Sequence, residues 1–343
     1  MNALITGGAG FIGSHLAEGL LRRGNNVYVI DNLSTGNYNN IKHLLRNERF
    51  TFVQGSILDR YLTERIVRKV DVIYHFAAAV GVKYVMDNPL ASIQCNIHGT
   101  EIVLELASKW KRKVLIASTS EVYGKNGNSP YREDGDLLMG ATTITRWSYA
   151  CTKALDEFLA LAYFKEQEVP IVILRLFNVC GPRQTGRYGM VVPRFVRNAL
   201  LGKPLEVYGD GFQSRCFVYV EDVVEAVIIL SDMERALGEI FNVGSTYEIT
   251  IKDLAQKVIK LTGSNSKIKY IPYSEVYGND FEDMIRRVPD ITKIREFTGW
   301  EPKVTLDELL LKVIDYEKSV MKSESDTSNI LSDLVSAKSD CIS

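Results

Sequence analysis

Two short runs in this chain carry residue types suited to acid–base chemistry. They are Ser118-Thr119-Ser120-Glu121-Val122-Tyr123-Gly124 and Tyr149-Ala150-Cys151-Thr152-Lys153. The first closes an apolar run and the second opens a helix-like one, which predicts a strand end followed later by a helix start. On a helix, residues four apart share a face, so Tyr149 and Lys153 would project together. A free phenol titrates near pH 10, and each unit of depression requires about 1.4 kcal/mol of preferential stabilisation of the phenolate. A neighbouring ammonium and a further bound cation would supply several units and make Tyr149 a general base. The same spacing also occurs on ordinary amphipathic helices, so the pair takes its meaning from the elements that position it.

Those elements begin at the N-terminus. Asn2 to Thr6 is a short apolar run, followed by Gly7-Gly8-Ala9-Gly10-Phe11-Ile12-Gly13 and an amphipathic stretch through Arg23. A second β-rich run, Asn26 to Ile30, ends at Asp31, eighteen residues after Gly13. Strand, glycine turn, helix, strand and terminal carboxylate is the order that dinucleotide binding requires. The glycines admit a pyrophosphate at a helix N-terminus, and the acidic residue accepts hydrogen bonds from the adenosine ribose. Asp31 also repels a 2′-phosphate, which favours NAD over NADP. Further strands are expected at Phe50–Gln54, Val70–Phe76, Val114–Ser118, Ile171–Leu176 and Glu239–Val243. Helical patterns separate the early ones, predicting a parallel, doubly wound α/β sheet with ligands at the carboxyl ends of its strands. Ala77-Ala78-Ala79 would let a cofactor lie close to the backbone or pack a helix tightly on the sheet. His75 lies within a strand pattern and is expected to be structural.

Two longer insertions, Gly181–Arg235 and Ser245–Tyr316, interrupt the later alternation. The expected organisation is a dinucleotide domain over residues 1–180 plus about 220–245, and a smaller interleaved substrate domain over 181–219 plus 246–317. Residues 318–343 read as a flexible, Ser- and Asp-rich tail. Two insertion segments, Asn178-Val179-Cys180-Gly181-Pro182-Arg183 and Val207 to Arg215, set arginines beside glycine turns, and guanidinium forks suit a diphosphate. The balance of 41 basic and 42 acidic residues, net −1, gives no global pull toward nucleic acid or anionic membrane. Five separated cysteines, Cys95, Cys151, Cys180, Cys216 and Cys341, read as reduced thiols. No His/Cys spacing suits a metal, no apolar run reaches the ~18 residues of a membrane span, and no signal-peptide pattern is visible. The expected compartment is the cytoplasm.

The ordered set of motifs resembles the extended short-chain dehydrogenase/reductase family of nucleotide-sugar enzymes over roughly residues 1–315. It comprises Thr6 to Gly13, Asp31-Asn32, His75-Phe76-Ala77-Ala78, Asn96, Ser118 to Gly124, Tyr149-x-x-x-Lys153, Asn178, Gly181-Pro182-Arg183, Arg215 with Asp222, and Gly299-Trp300-Glu301-Pro302. The resemblance implies tightly held NAD, recycled within each turnover, on Gly7, Gly10, Phe11, Ile12, Gly13, Asp31, Asn32, Ser56, Ile57, Ala77, Ala78, Ala79, Asn96, Tyr149 and Lys153. Ser56 stands where family members usually carry an Asp against adenine, and it can still hydrogen-bond. A UDP-sugar or similar nucleotide sugar is implied on Asn178, Arg183, Val192, Arg215 and Arg287. A homodimer through helices around 90–108 and 149–165 is also implied. Non-enzymatic dinucleotide sensors typically lose the Tyr/Lys pair, so its presence argues for an enzyme.

Epimerases, dehydratases and decarboxylases of this family share a first step, in which Tyr149 takes the sugar C4 hydroxyl proton, Thr119 hydrogen-bonds the same oxygen and NAD takes the hydride. A 4-epimerase then demands no acid–base group at 120 or 121. A glucose-type 4,6-dehydratase calls for an acid where Ser120 stands. In a uronic acid the C4 ketone is β to the C6 carboxylate and is an electron sink for loss of carbon dioxide. Thr119-Ser120-Glu121 and Arg286-Arg287-Val288-Pro289-Asp290 look like the corresponding segments of UDP-glucuronate decarboxylases, with Arg287 near the carboxylate or the C5 proton. Decarboxylation of UDP-glucuronate or UDP-N-acetylglucosaminuronate is therefore placed first, 4-epimerisation second and dehydration third.

Overall fold

In the computed structural model, which describes residues 1–187, 189–278 and 282–339, strand and helix alternate through the first half of the chain. The order is β1 (Asn2–Thr6), α1 (Phe11–Arg22), β2 (Asn26–Asp31), β3 (Phe50–Gln54), α2 (Arg60–Val67), β4 (Val72–His75), α3 (Val82–Asp87), α4 (Pro89–Trp110), β5 (Lys113–Thr119), α5 (Trp147–Gln167) and β6 (Ile171–Leu176). There follow β7 (Val179–Cys180), α6 (Val191–Leu200), β8 (Leu205–Tyr208), β9 (Ser214–Cys216), β10 (Val218–Tyr219), α7 (Val220–Ser231) and β11 (Glu239–Val243). The chain continues through β12 (Glu248–Thr250), α8 (Ile251–Thr262), β13 (Ile268–Ile271), α9 (Tyr273–Tyr277), β14 (Arg286–Arg287), α10 (Thr292–Thr298) and α11 (Leu306–Ser339).

Seven strands form one sheet in the order β11-β6-β5-β4-β1-β2-β3, and every neighbouring pair is parallel. Parallel strands need crossovers, so both faces are covered by helices and the strands read as continuous apolar runs. Ile171 to Leu174 of β6 are all fully buried. On one face α1 packs against α7, and on the other α4 lies between α2 and α5. The strand order reverses between β1 and β4, which opens a crevice at their carboxyl ends. The expected strand Val70–Phe76 is shorter, Val72–His75, and the expected Val114–Ser118 extends by one residue at each end.

The core on the α1/α7 face runs without a break from Ala3 and Leu16 through Val224 to Phe195, Leu254 and Leu310. It therefore joins the sheet to the cluster of α6, α8 and α11. Three short pairings complete that region: β8 with β13, β7 with β10, and β9 between β12 and β14. The register of β9 with β14 puts Arg215 directly beside Arg287. The Gly299-Trp300-Glu301-Pro302 motif finds a packing explanation, since Trp300 Nε1 donates to the Asp222 carbonyl at 2.9 Å. The Asp222 carboxylate accepts from the amides of Lys303 and Val304. Residues 318–339, expected as a flexible tail, instead continue α11. Arg197 pairs with Glu317 at 3.3 Å and with Glu324 at 2.6 Å along that helix, although such exposed pairs contribute little.

A buried ion pair bolts α5 to the sheet under the acid–base residues. Arg175 of β6 donates Nε and Nη2 to Glu157 of α5 at 3.0 and 2.7 Å, and the Ser118 hydroxyl of β5 donates to the same carboxylate. Both side chains are only 4% exposed. Replacing Glu157 by Ala would leave a buried guanidinium without its counter-charge, an expected loss of about 3–5 kcal/mol in chemical denaturation. A loss below about 1 kcal/mol would show that the pair does not hold this helix in place.

Candidate active site

The dinucleotide end of the crevice is shaped by backbone approach. Gly7 has φ +72°, and a Cβ there would meet the backbone of Ala77 at 2.8 Å. At Gly13 a Cβ would sit 2.4 Å from the Gly7 carbonyl oxygen. Only glycine fits either place, and the resulting turn leaves the N-terminus of α1 open to a pyrophosphate. Asp31, at the end of β2, accepts from the amides of Ala9 at 3.0 Å and Leu33 at 2.8 Å, and its carboxylate borders the cavity. Burial pushes it above the usual carboxylate range against the pull of those two amides.

Gly10, Phe11, Ile12, Asn32, Ser56, Ile57, Ala77 and Ala78 line the same cavity as expected, and Ser56 also accepts from the Leu58 amide. Ala79 and Asn96 stand behind the wall: Asn96 Oδ1 accepts from the Ala79 amide at 2.8 Å and so holds the loop after β4 in position. His75 bridges Thr6 at 2.8 Å and Thr100 at 3.1 Å, and burial pulls it down to about 3. It is a neutral structural residue, as its strand position predicts.

At the other end β5 stops at Thr119, whose hydroxyl accepts from the Glu121 amide at 3.2 Å and caps a single 3-10 turn over Ser120–Tyr123. That turn aims Ser120 and Glu121 into the cavity, opposite Tyr149 on the first turn of α5. From β14, Arg287 Nη1 donates to the Ser120 hydroxyl and to Glu121, each at 3.4 Å. From the residue preceding α5, Arg146 Nη2 lies 3.7 Å from the same Glu121 oxygen.

The electrostatics follow from burial and these neighbours. Desolvation raises Glu121, but Arg146 and Arg287 outweigh it and hold the carboxyl below its ordinary range, so it is ionised at neutral pH. Arg287 is pulled down to about 10, first by burial and then by Arg215, and remains a cation. The Tyr149 phenol is raised, by burial and then by Glu121, while a hydrogen bond with Thr119 and the charge of Arg287 work against the rise. Lys153 does not border the cavity; its ammonium is buried and donates to Asp156 at 2.8 Å. The simple picture of a lysine resting on the phenol and depressing it therefore needs correction. In the protein alone the phenol stays protonated.

Asn178, Val192 and Arg215 all border the cavity. Asn178 takes φ +34°, a region that Asn tolerates better than most residues, and donates to the Cys216 carbonyl. Arg183 also borders the cavity, but its guanidinium is tied to Ser14 at 3.3 Å and Glu18 of α1. Three residues beside Glu121 and Arg215 in the cavity wall escaped the sequence reading: Arg146, Asp283 and Tyr273. Arg146 precedes Tyr149 by one helical turn, a readable signal that it shares the phenol's face. Asp283 and Tyr273 lie in loop and short-helix sequence with no local signal of their place.

A dinucleotide cradle facing a strand-end threonine and a helix-borne tyrosine defines an oxidoreductase-type α/β fold of the short-chain dehydrogenase/reductase class. Residues 4–313 match the family model described as GDP-mannose 4,6 dehydratase, and the chain belongs to this extended, nucleotide-sugar-modifying branch of the class. It is 46% identical to a UDP-N-acetyl-alpha-D-glucosaminuronate decarboxylase of Bacillus cytotoxicus over 318 residues, covering 92% of this chain and 98% of that one. It is 37% identical to UDP-glucuronic acid decarboxylase 4 of Arabidopsis thaliana over 333 residues, covering 97% of this chain and 72% of the other. Among solved structures, UDP-glucuronic acid 4-epimerase from Bacillus cereus, in complex with UDP-glucuronic acid and NAD, superposes with a TM-score of 0.84 at 31% identity, over 93% of this chain and 100% of that one. UDP-glucose 4-epimerase from Thermotoga maritima gives 0.85 at 32%, over 94% and 100%. Decarboxylases and epimerases are thus both among the proteins to which this chain is similar.

Glu121 supplies a test. Its folded-state pKa is depressed, so its ion-pair contribution is present above the unfolded carboxyl value and is lost as pH falls through the folded one. Arg146→Gln removes the cation that lowers Glu121 most, and the acid limb of turnover should move to higher pH; an unmoved limb would mean that Glu121 does not set it.

Proposed function

We propose that this chain binds NAD and decarboxylates a UDP-uronic acid, UDP-N-acetylglucosaminuronate first and UDP-glucuronate second, releasing carbon dioxide and a UDP-pentose. The observation that carries this reading is the ionised Glu121 held between Arg146 and Arg287, immediately beside Thr119 and Tyr149. A 4-epimerase demands no acid–base group at that position. A uronate needs cations where its carboxylate lies and a polar site at C5. The 46% identity to a UDP-N-acetyl-alpha-D-glucosaminuronate decarboxylase supports the choice of sugar.

The residues present fit the dinucleotide: the cradle at Gly7 and Gly13 has no room for a side chain, and Asp31 borders the adenosine end. Held by these residues, NAD would supply a reversible hydride acceptor for the sugar C4. With a cation bound beside it the Tyr149 phenol would ionise, and as phenolate it takes the C4 hydroxyl proton, helped by Thr119 on the same oxygen. In the resulting 4-keto sugar the C5–C6 bond breaks, carbon dioxide leaves, and the electron pair passes to the C4 oxygen, where Tyr149 and Thr119 stabilise it. C5 is then protonated. Glu121, held ionised, is not the resting donor; Arg287, pulled down to about 10, is the better-placed acid. Ser120 and Arg287 orient the carboxylate before the bond breaks, and Arg215 faces the diphosphate.

We further place a homodimer across α4 and α5, where Leu90, Leu155 and Phe158 are exposed at 67%, 47% and 67%, and the protein in the cytoplasm. Among the described residues no helix is long and apolar enough to cross a membrane. Phe158→Asp should convert the dimer to a monomer in sedimentation; a wild type that already sediments as a monomer would overturn this placement.

Incubating the NAD-loaded protein with each of the two UDP-uronates should give a product lighter by one carbon dioxide. An isomer of unchanged mass would instead establish 4-epimerisation. Tyr149→Phe should abolish turnover while retaining NAD, at an expected loss of at least about a thousandfold, since proton removal by a positioned base typically contributes 10²–10⁴.

A further inference from the structure

Asp283 takes no part in the reaction proposed above, yet its side chain is a node of the same cavity wall. It lies between α9 and β14. Oδ1 accepts from Arg215 Nη2 at 2.9 Å and from Arg146 Nη1 at 3.2 Å. Oδ2 accepts from the Tyr273 hydroxyl at 2.8 Å. The carboxylate is mostly buried, at 19% exposure, and the neighbouring guanidiniums hold it below its ordinary range although burial alone would raise it. Arg146 in turn reaches Glu121 at 3.7 Å, and Arg215 lies beside Arg287 in the β9–β14 register.

One carboxylate thus connects the arginine that faces the diphosphate with the arginine that holds Glu121. Among the described residues, this cluster sets three guanidiniums, of Arg146, Arg215 and Arg287, against two carboxylates, of Glu121 and Asp283. A diphosphate arriving at Arg215 competes with Asp283 for the same guanidinium, because both are anionic acceptors for one fork. As Arg215 turns toward the phosphates, Asp283 is left to Arg146 and Tyr273, which firms the end of the wall where Glu121 is held.

We propose that Asp283 is a positioning residue that couples diphosphate recognition at Arg215 to the placement of Arg146 and Glu121 at the sugar. It presupposes the assignment of Arg215 to the diphosphate and of Glu121 to the sugar. Its signature is an opposition between binding and turnover. Asp283 competes with the diphosphate, so its charge weakens nucleotide binding while it orders the groups that act on the sugar.

The test uses the NAD-loaded full chain, with UDP as the binding probe and the UDP-uronate as substrate. Asp283→Asn keeps the shape and removes the charge. UDP should bind about three- to tenfold more tightly, with a steeper salt dependence, because a nearby like charge has gone. In the same variant kcat should fall by about tenfold or more through loss of positioning. A residue that merely supported the fold would lower UDP affinity, turnover and melting temperature together, and that pattern overturns the proposal. So does a kcat within about twofold of wild type, a change too small for an effect on positioning. Asp283→Glu should restore the wild-type UDP affinity and part of the turnover. If Asp283→Asn fails to fold, Arg146→Lys serves instead: it keeps the charge and loses the fork, so Asp283 is left to Arg215, UDP should bind about threefold or more weakly and kcat should fall at an unchanged melting temperature, and an unchanged UDP affinity would overturn the coupling. A wild type that binds UDP but turns over no UDP-uronate would defeat the proposed reaction alone, and UDP affinity in Asp283→Asn would still judge the coupling, tighter supporting it and weaker overturning it.

Discussion

A carboxylate buried at a strand end must be paired, and the wall of this cavity is arranged around meeting that condition for Glu121. Taking such a group out of water costs several kcal/mol unless cations and hydrogen bonds offset it. Here the offset comes from two guanidiniums on different elements, Arg146 at the start of α5 and Arg287 on β14. Each of those cations is itself buried and needs further partners. Arg146 finds them in the segment around Asp283, and Arg287 in Ser120. The requirement therefore propagates outward until it reaches groups that can share charge with solvent or a ligand.

The same condition explains why the sheet and the later insertions cannot be treated as separate bodies. Glu121 follows β5 and Tyr149 lies on α5, but Arg287, one of the two counter-charges of Glu121, comes from β14, and Asp283, which pairs with the other, Arg146, comes from the chain between α9 and β14. Under the site the Glu157–Arg175 pair does for position what the upper cluster does for charge, since it locks α5 against β5 and β6. The continuous apolar core from β1 to α11 gives this arrangement its stiffness. Tyr149 benefits directly. Its phenol is held protonated by burial and by Glu121, so nearby positive charge has a large effect on it in that dry setting.

Much of this was legible in the sequence because the physics is local. The glycine turn, Asp31 at a strand tip and the Thr119-Ser120-Glu121 strand end each depend on a few adjacent backbone positions, whose dihedrals and spacing the residue types dictate. Arg146 was legible too, as a residue one helical turn from Tyr149, although nothing but the fold shows that its partner is Glu121. Other features had no local signature. The contact of Arg146 with Asp283 spans 137 residues of chain, and that of Arg287 with Glu121 spans 166. Lys153 illustrates the converse: its spacing from Tyr149 was right, yet its ammonium turns to Asp156, one helical turn on. The sequence by itself determined the parallel sheet, the glycine turn after β1 and the strand end at Thr119, since hydrophobic period and turn chemistry act over a few residues. Only the tertiary structure decided which charges meet around Glu121, because electrostatic partners in a buried wall are set by the register of distant strands and by how much water the packing excludes.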